Sequence, residues 1–163
     1  MDMQPSLFVK MARDTWTERV KATSELIGRL SDDQLMNEVA PGRNRGIYLV
    51  GHLATVHDMM LPLLRFQEML YPALKPVFLD VPDRTVPSLP PVQQLREQWT
   101  AVNETLMKHA TGLSAEEWST RHASVSEADF AKEPHRNRLN VLLGRTNHLS
   151  YHRGQLALLT SKE

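Results

Sequence analysis

Apolar residues recur at steps of three and four in four separate stretches of the chain, the spacing that lines one face of an α-helix. Val9, Ala12, Trp16, Val20, Thr23, Ile27 and Leu30 form the first stripe. Ser31-Asp32-Asp33-Gln34 follows it as a capping box for a short turn, and Pro41-Gly42 breaks the chain. A second stretch, about Asn44 to Leu70, presents a broad face of Leu, Val and Met centred near Val50, Leu53, His57 and Leu64. Pro62 lies inside it and leaves the Asp58 carbonyl without its intrahelical donor, which predicts a kink or a break into two pieces. Six of the ten prolines fall between residues 72 and 91, so an extended connection is predicted there. The third helix is predicted to start at Pro90-Pro91, to carry Val92, Leu95, Trp99, Val102 and Leu106, and to stop at Gly112. Ser114 with Glu117 repeats the capping-box pattern for another short turn, and residues 119–138 read as polar and irregular. The fourth helix, about Arg138 to Thr160, carries Val141, Leu142, Leu149, Leu156 and Leu159.

No strand alternation persists and no internal repeat is present. Four amphipathic helices with two long links predict an all-α four-helix bundle, with crossover connections around 72–91 and 112–138 and short extra helical turns. The length, 163 residues, predicts one domain over 1–163 and suffices for a core that needs neither disulfide nor metal to fold.

Composition narrows the chemistry. Cysteine is absent, so the chain offers no disulfide and no thiolate as ligand or nucleophile. Any metal must be held by His, Asp or Glu, and any thiol chemistry must use a thiol from outside. Lys plus Arg and Asp plus Glu are 19 each, and the short basic run at Arg136–Arg138 with Arg145 and Arg153 is no phosphate-tracking stripe. Nucleic acid is therefore not an expected partner. The start of the chain, Met1 to Pro5, lacks a leader's basic region, and no segment approaches the ~18 apolar residues of a membrane helix. The expectation is a cytoplasmic protein without a membrane partner.

Seven histidines are present. His148 and His152 stand four apart on one predicted helix, on the same face one turn apart, where both can reach a single ion. Their direction nearly coincides with that of Val141 and Leu159, so the pair faces partly inward. Inward imidazoles need partners, since a buried polar group without one costs ~1–3 kcal/mol. Asn147, Ser150, Tyr151 and Gln155 are the nearby groups able to hydrogen-bond such ligands. A third ligand must come from another helix. On the second, His52 and His57 are five apart, about 140° around the axis, and can hardly serve one site together. His57 lies in the middle of the apolar face and His52 on its flank, so periodicity leaves the choice open and leans to His57. His109 lies on the inner stripe of the third helix and reads as structural, whereas His122 and His135 fall in the irregular segment and read as exposed, with a flap over the site as the alternative role.

Gly51-His52-Leu53-Ala54 on the second helix, with Asn147-His148-Leu149-Ser150-Tyr151-His152-Arg153-Gly154-Gln155-Leu156 on the last, resembles the DinB/YfiT-like superfamily. Leu30-Ser31-Asp32-Asp33-Gln34-Leu35 and Asn137 to Leu143 carry the same likeness, which is weakest between 72 and 136. The resemblance implies an up-down-down-up bundle, a homodimer, and one metal ion held by His52, His148 and His152. It thus assigns the third ligand to His52 and leaves His57 as a packing histidine or a group behind the ligands. It also implies metal-dependent S-transferases acting on low-molecular-weight thiols such as bacillithiol or mycothiol, and it implies no DNA polymerase activity.

Three neutral imidazoles leave a fourth coordination position open, the arrangement of a reactive rather than a structural zinc site. Such a set accepts a divalent ion, zinc or nickel before others, which can lower the pKa of a bound water towards ~7 or hold a small-molecule thiol as thiolate. No acid lies within the HxxxH pair, which argues against peptide hydrolysis of the HExxH type. A metal-dependent thiol transferase, a metal-dependent hydrolase and a non-catalytic metal- or small-ligand-binding bundle all remain open at this point. The catalytic base is unassigned, with Tyr151, Asp58 and His57 as candidates.

Overall fold

The structure, a computed structural model, describes residues 3–160. Residues 1, 2 and 161–163, at the limits of the expected domain and in part of the N-terminal segment considered as a leader, lie outside the described residues. The described chain is all-helical, with isolated bridges at Glu38–Arg45 and Arg121–Asn137 in place of any strand. Its elements are α1 (Met3–Arg29), α2 (Asp32–Leu35), α3 (Gly46–Asp58), α4 (Met60–Leu63), a 3-10 turn (Pro72–Leu74) leading into α5 (Lys75–Phe78), α6 (Val92–Thr111), α7 (Ala115–Trp118), α8 (Glu127–Lys132) and α9 (Arg138–Ala157).

The four longest helices close a ring: α1 packs against α9 and α6, and α3 packs against α6 and α9. The first stripe points into that ring as expected, with Val9, Trp16, Val20, Ile27 and Leu30 buried. Leu49, Leu53, Leu95, Trp99, Val102, Leu106, Leu142, Leu149 and Leu156 meet them from the other three helices. Both capping boxes form, Ser31 with Gln34 at α2 and Ser114 with Glu117 at α7. Asn137 caps α9 through the Asn140 amide. α6 begins after Pro91 and ends at Gly112, as the proline and glycine signals require.

The second helix differs from expectation in length. It breaks at Met59 and stops at Leu63 instead of running to Leu70. Pro62 accounts for the break, and the Asp58 side chain for the reversal of the chain beyond it. The Asp58 carboxylate accepts the amides of Leu70 at 2.8 Å and Tyr71 at 2.7 Å, so the chain folds back on the end of α3. Two further corrections fall in the links. The proline-rich stretch is not wholly extended: Pro72 and Pro76 sit in first-turn positions that tolerate proline, and α5 buries Phe78 completely. Residues 119–138 contain α8, capped by Ser126, and α7 carries a fully buried Trp118 that the periodicity did not single out. No helix among the described residues is long and apolar enough to cross a membrane.

Candidate metal centre

The contact between α3 and α9 is where the ring brings two distant parts of the chain together, and His52, His148 and His152 meet there. One nitrogen from each ring lies within 4.8 Å of the other two, the sole such group of metal-ligating side chains among the described residues. The Nε2 atoms converge: His52 to His148 at 3.1 Å, and His152 to His148 at 3.1 Å. Two nitrogens held ~2.0–2.1 Å from one ion at a tetrahedral angle lie about 3.3 Å apart, so both of these separations are within tenths of an ångström of what a shared ion requires. All three side chains are half-buried.

The tautomers follow from what stands behind the rings. His52 Nδ1 is 2.9 Å from the Phe78 carbonyl, which can only accept, so Nδ1 carries the proton and Nε2 is a lone pair. His152 Nδ1 is 2.6 Å from Gln155 Oε1, with the same consequence. Two lone pairs therefore aim at one point, and a single proton on His148 Nε2 cannot satisfy both well. His148 Nδ1 is buried without a partner, so no contact holds the proton on Nε2; with the proton on Nδ1 this ring too presents its Nε2 lone pair to the same place. A cation satisfies the convergence, and the donor set could hold a metal ion.

Electrostatics keeps the rings in the form a metal needs. Burial lowers the pKa of all three; the Phe78 carbonyl opposes this at His52, and Gln155 opposes it at His152. His148 is lowered furthest, to about 3, by burial first and then by His152, His52 and Arg145. Burial thus favours the neutral form of all three rings, the form that ligation requires.

The orientation of His52 is built by a strap. On one side of α3 and the residue before it, Arg45, Tyr48 and His52 follow at steps of three and four, and each holds part of the segment 78–83. Arg45 makes a forked ion pair with Asp83 at 2.7 Å and donates its amide to the same carboxylate. Tyr48 Oη donates to the Val81 carbonyl at 2.7 Å. At Gly51 the ring of Phe78 lies so close that an added Cβ would stand 2.3–2.5 Å from three of its atoms. Glycine at 51 thus admits Phe78, and the Phe78 carbonyl then orients His52.

The remaining candidates are elsewhere. His57 is fully buried, with its Nδ1 2.7 Å from Asn103 Oδ1 and its ring 4.9 Å from that of Trp99 and 6.3 Å from that of Trp16. It packs the core, and burial pulls its pKa down to about 4. Asp58 is occupied by the Leu70 and Tyr71 amides, which oppose the rise in pKa that its burial causes. Neither joins the three histidines. Tyr151 stands at the rim, 64% exposed and edge-on to His152 at 5.0 Å between ring centroids. Of the residues expected to support the ligands, Gln155 does so; Ser150 bonds the Thr146 carbonyl and Asn147 faces solvent. His109 stacks on Phe66 and meets Gln67, and His135 is exposed. His122 is half-buried against Ser124, not exposed as expected. Phe78 and Gly51 were not singled out in the sequence as support for the site; the glycine directly before His52 was the available signal.

A helical ring that gathers three neutral imidazoles between its second and last long helices defines an all-α bundle with a site able to hold one metal ion. The chain belongs to the DinB superfamily, whose sequence profile matches residues 15–156. The fold is also that of a solved Enterococcus faecalis protein described as a conserved protein, at 17% identity and a TM-score of 0.63, covering 92% of this chain and 93% of that one. No curated protein matches the sequence significantly.

Proposed function

We propose that His52, His148 and His152 hold one divalent ion, zinc or nickel, and that the protein is a metal-dependent transferase acting on a low-molecular-weight thiol. The observation that carries the metal is the convergence of the Nε2 lone pairs of His52 and His152 on His148, fixed from behind by Phe78 and Gln155. Bound there, the ion supplies an open coordination position and Lewis acidity sufficient to deprotonate a thiol at neutral pH. The chain's own part is to keep three imidazoles neutral and pointed, and to contribute no competing anion. Among the described residues no Asp or Glu joins the three histidines as a ligand. With no cysteine in the chain, the nucleophilic sulfur has to arrive with the substrate. Together these favour thiol transfer over hydrolysis.

The test has two stages. Untagged protein is expected to retain about one equivalent of metal by elemental analysis, and His148→Ala or His52→Ala to lose it. Metal-loaded protein is then offered a panel of small thiols with an electrophile. Turnover that disappears in the His148→Ala/His152→Ala variant is the expected result. Turnover of hydrolysable substrates without added thiol would replace this reading with a hydrolase, and full metal retention by His52→Ala would remove the third ligand.

A further inference from the structure

Arg145 lies on α9 three residues before His148 and seven before His152, so the three side chains follow one another along a single stripe of the helix. The stripe continues through Gln155, which holds His152 from behind. Arg145 is half-buried, and burial alone lowers its pKa, with no carboxylate opposing it. Among the described residues its side chain has neither a hydrogen bond nor an ion pair; the half-buried Arg138 and Arg153 also lack an ion pair, but Arg145 is the one that stands a turn from His148 on the face of the cluster. On that stripe it stands one helical turn from His148, the central histidine of the cluster.

The guanidinium is partly shielded from water and has no counterion, and its face of α9 is shared with histidines that bring no negative charge. An ion held by neutral imidazoles keeps its full charge, so cation and guanidinium repel each other until an anion joins them. The guanidinium's five donors form a planar fork suited to a carboxylate or phosphate.

We propose that Arg145 is a specificity residue: it binds an anionic oxygen group, a carboxylate or a phosphate, on the substrate whose sulfur occupies the open position of the metal site. This rests on the proposed thiol-binding metal site and adds the substrate's second functional group. The fold holds Arg145 unpaired because its partner is on the ligand. The reacting thiol is therefore acidic at two points, and a neutral thiol of the same size is a poor substitute.

The experiment uses the full chain loaded with cobalt(II), whose visible spectrum reports thiolate binding directly without turnover. It is titrated with 3-mercaptopropionate, 2-mercaptoethyl phosphate and 2-mercaptoethanol. The wild type is expected to bind one or both anionic thiols about tenfold more tightly than 2-mercaptoethanol, the order expected of a charge-assisted hydrogen bond. Whichever is preferred identifies carboxylate or phosphate as the source. In Arg145→Gln that ratio is expected to collapse towards one, and in Arg145→Lys to fall in between. Cobalt affinity in Arg145→Gln is expected to be equal or higher, because a repelling charge has gone; a merely structural arginine would instead lower it. A preference that persists in Arg145→Gln, as simple chelation of cobalt by the probe would give, overturns the proposal, and so does equal binding of all three probes by the wild type. Absence of any cobalt spectrum overturns the metal site and this proposal together, an outcome distinct from a normal spectrum without discrimination.

Discussion

Each converging imidazole has a different support: a backbone carbonyl for His52, a side-chain amide for His152, and no partner for His148. Groups behind a ligand commonly matter about 10–100-fold in metal affinity. Gly51→Ala probes the support of His52, because the new methyl must displace the Phe78 ring. It is expected to destabilise the protein by about 1–3 kcal/mol in urea unfolding, and to weaken metal binding about tenfold in competition with a chelating dye. Lost stability with unchanged affinity would show that the Phe78 carbonyl does not orient His52. His57 makes a separate prediction in the metal-free protein. It titrates near 4 in the fold and near ~6.5 in the unfolded chain, so folding favours the neutral ring. Stability from this source is complete above about pH 6.5 and drains away as the pH falls towards 4, by about 3 kcal/mol in all. The groups around it are Trp16 from α1, Asn103 and Trp99 from α6, and the charge of Arg145 from α9. His57→Gln should flatten the fall across that window in urea titrations, and an unchanged slope would exclude His57 as a source.

The same two histidines show what periodicity can and cannot read. His148 and His152 were legible from a four-residue step on one helix. His52 was not, because the middle of the second apolar face belongs to His57. That face was read correctly as core, and the site is not in the core. It lies where α3 and α9 meet, on the flank of the stripe, where an imidazole can keep one nitrogen bonded inside and offer the other outwards. A wheel ranks depth, whereas ligation favours the edge, and it was the resemblance through Gly51 to Ala54 that named His52.

At the scale of elements, the caps and breaks were readable because each is a local rule: Ser31, Ser114, Pro62, Pro91 and Gly112 act on their own neighbours. Where α3's continuation ended was not readable, because the Asp58 carboxylate reaches twelve and thirteen residues ahead. α5 and the 3-10 turn before it were hidden by the proline density of this stretch, which reads as extended chain although Pro72 and Pro76 each fall in a first turn. Asp83 holds the strap that follows α5, and its carboxylate is 4% exposed. Burial alone would raise its pKa, but the hydrogen bonds and charge of Arg45 outweigh burial and hold it down. Asp83→Ala leaves the Arg45 fork and amide without their acceptor and is expected to cost about 2–3 kcal/mol. Limited proteolysis should then cut within residues 79–91 faster than in the wild type. An unchanged cleavage rate would mean that Tyr48 and Phe78 hold the strap unaided.

For the molecule as a whole, the ring's core and the site are separable. Trp16, Leu53, Leu95, Trp99 and Leu149 are buried against one another from all four long helices without the three histidines. Chelation is therefore expected to leave the helical circular dichroism signal at low temperature intact. It should lower the melting temperature, since an ion present at 100 times its dissociation constant contributes about 2.7 kcal/mol to the folded state. Unfolding at room temperature on mild chelation would contradict this division.

The site's two helices also lie far apart in sequence, with His52 and His148 separated by 96 residues. Coordination there would close a covalent-like loop of that length in a chain that has no cysteine to close one. The ion would act as a removable clasp, fastening the last helix to the second one and limiting how far either can peel away alone. Hydrogen exchange should therefore slow most at the end of α9 when metal is added, around His148 to Gln155, while the amides of α6 change little. In such a protein a cell's metal supply would govern how long a molecule lasts as well as whether it can react.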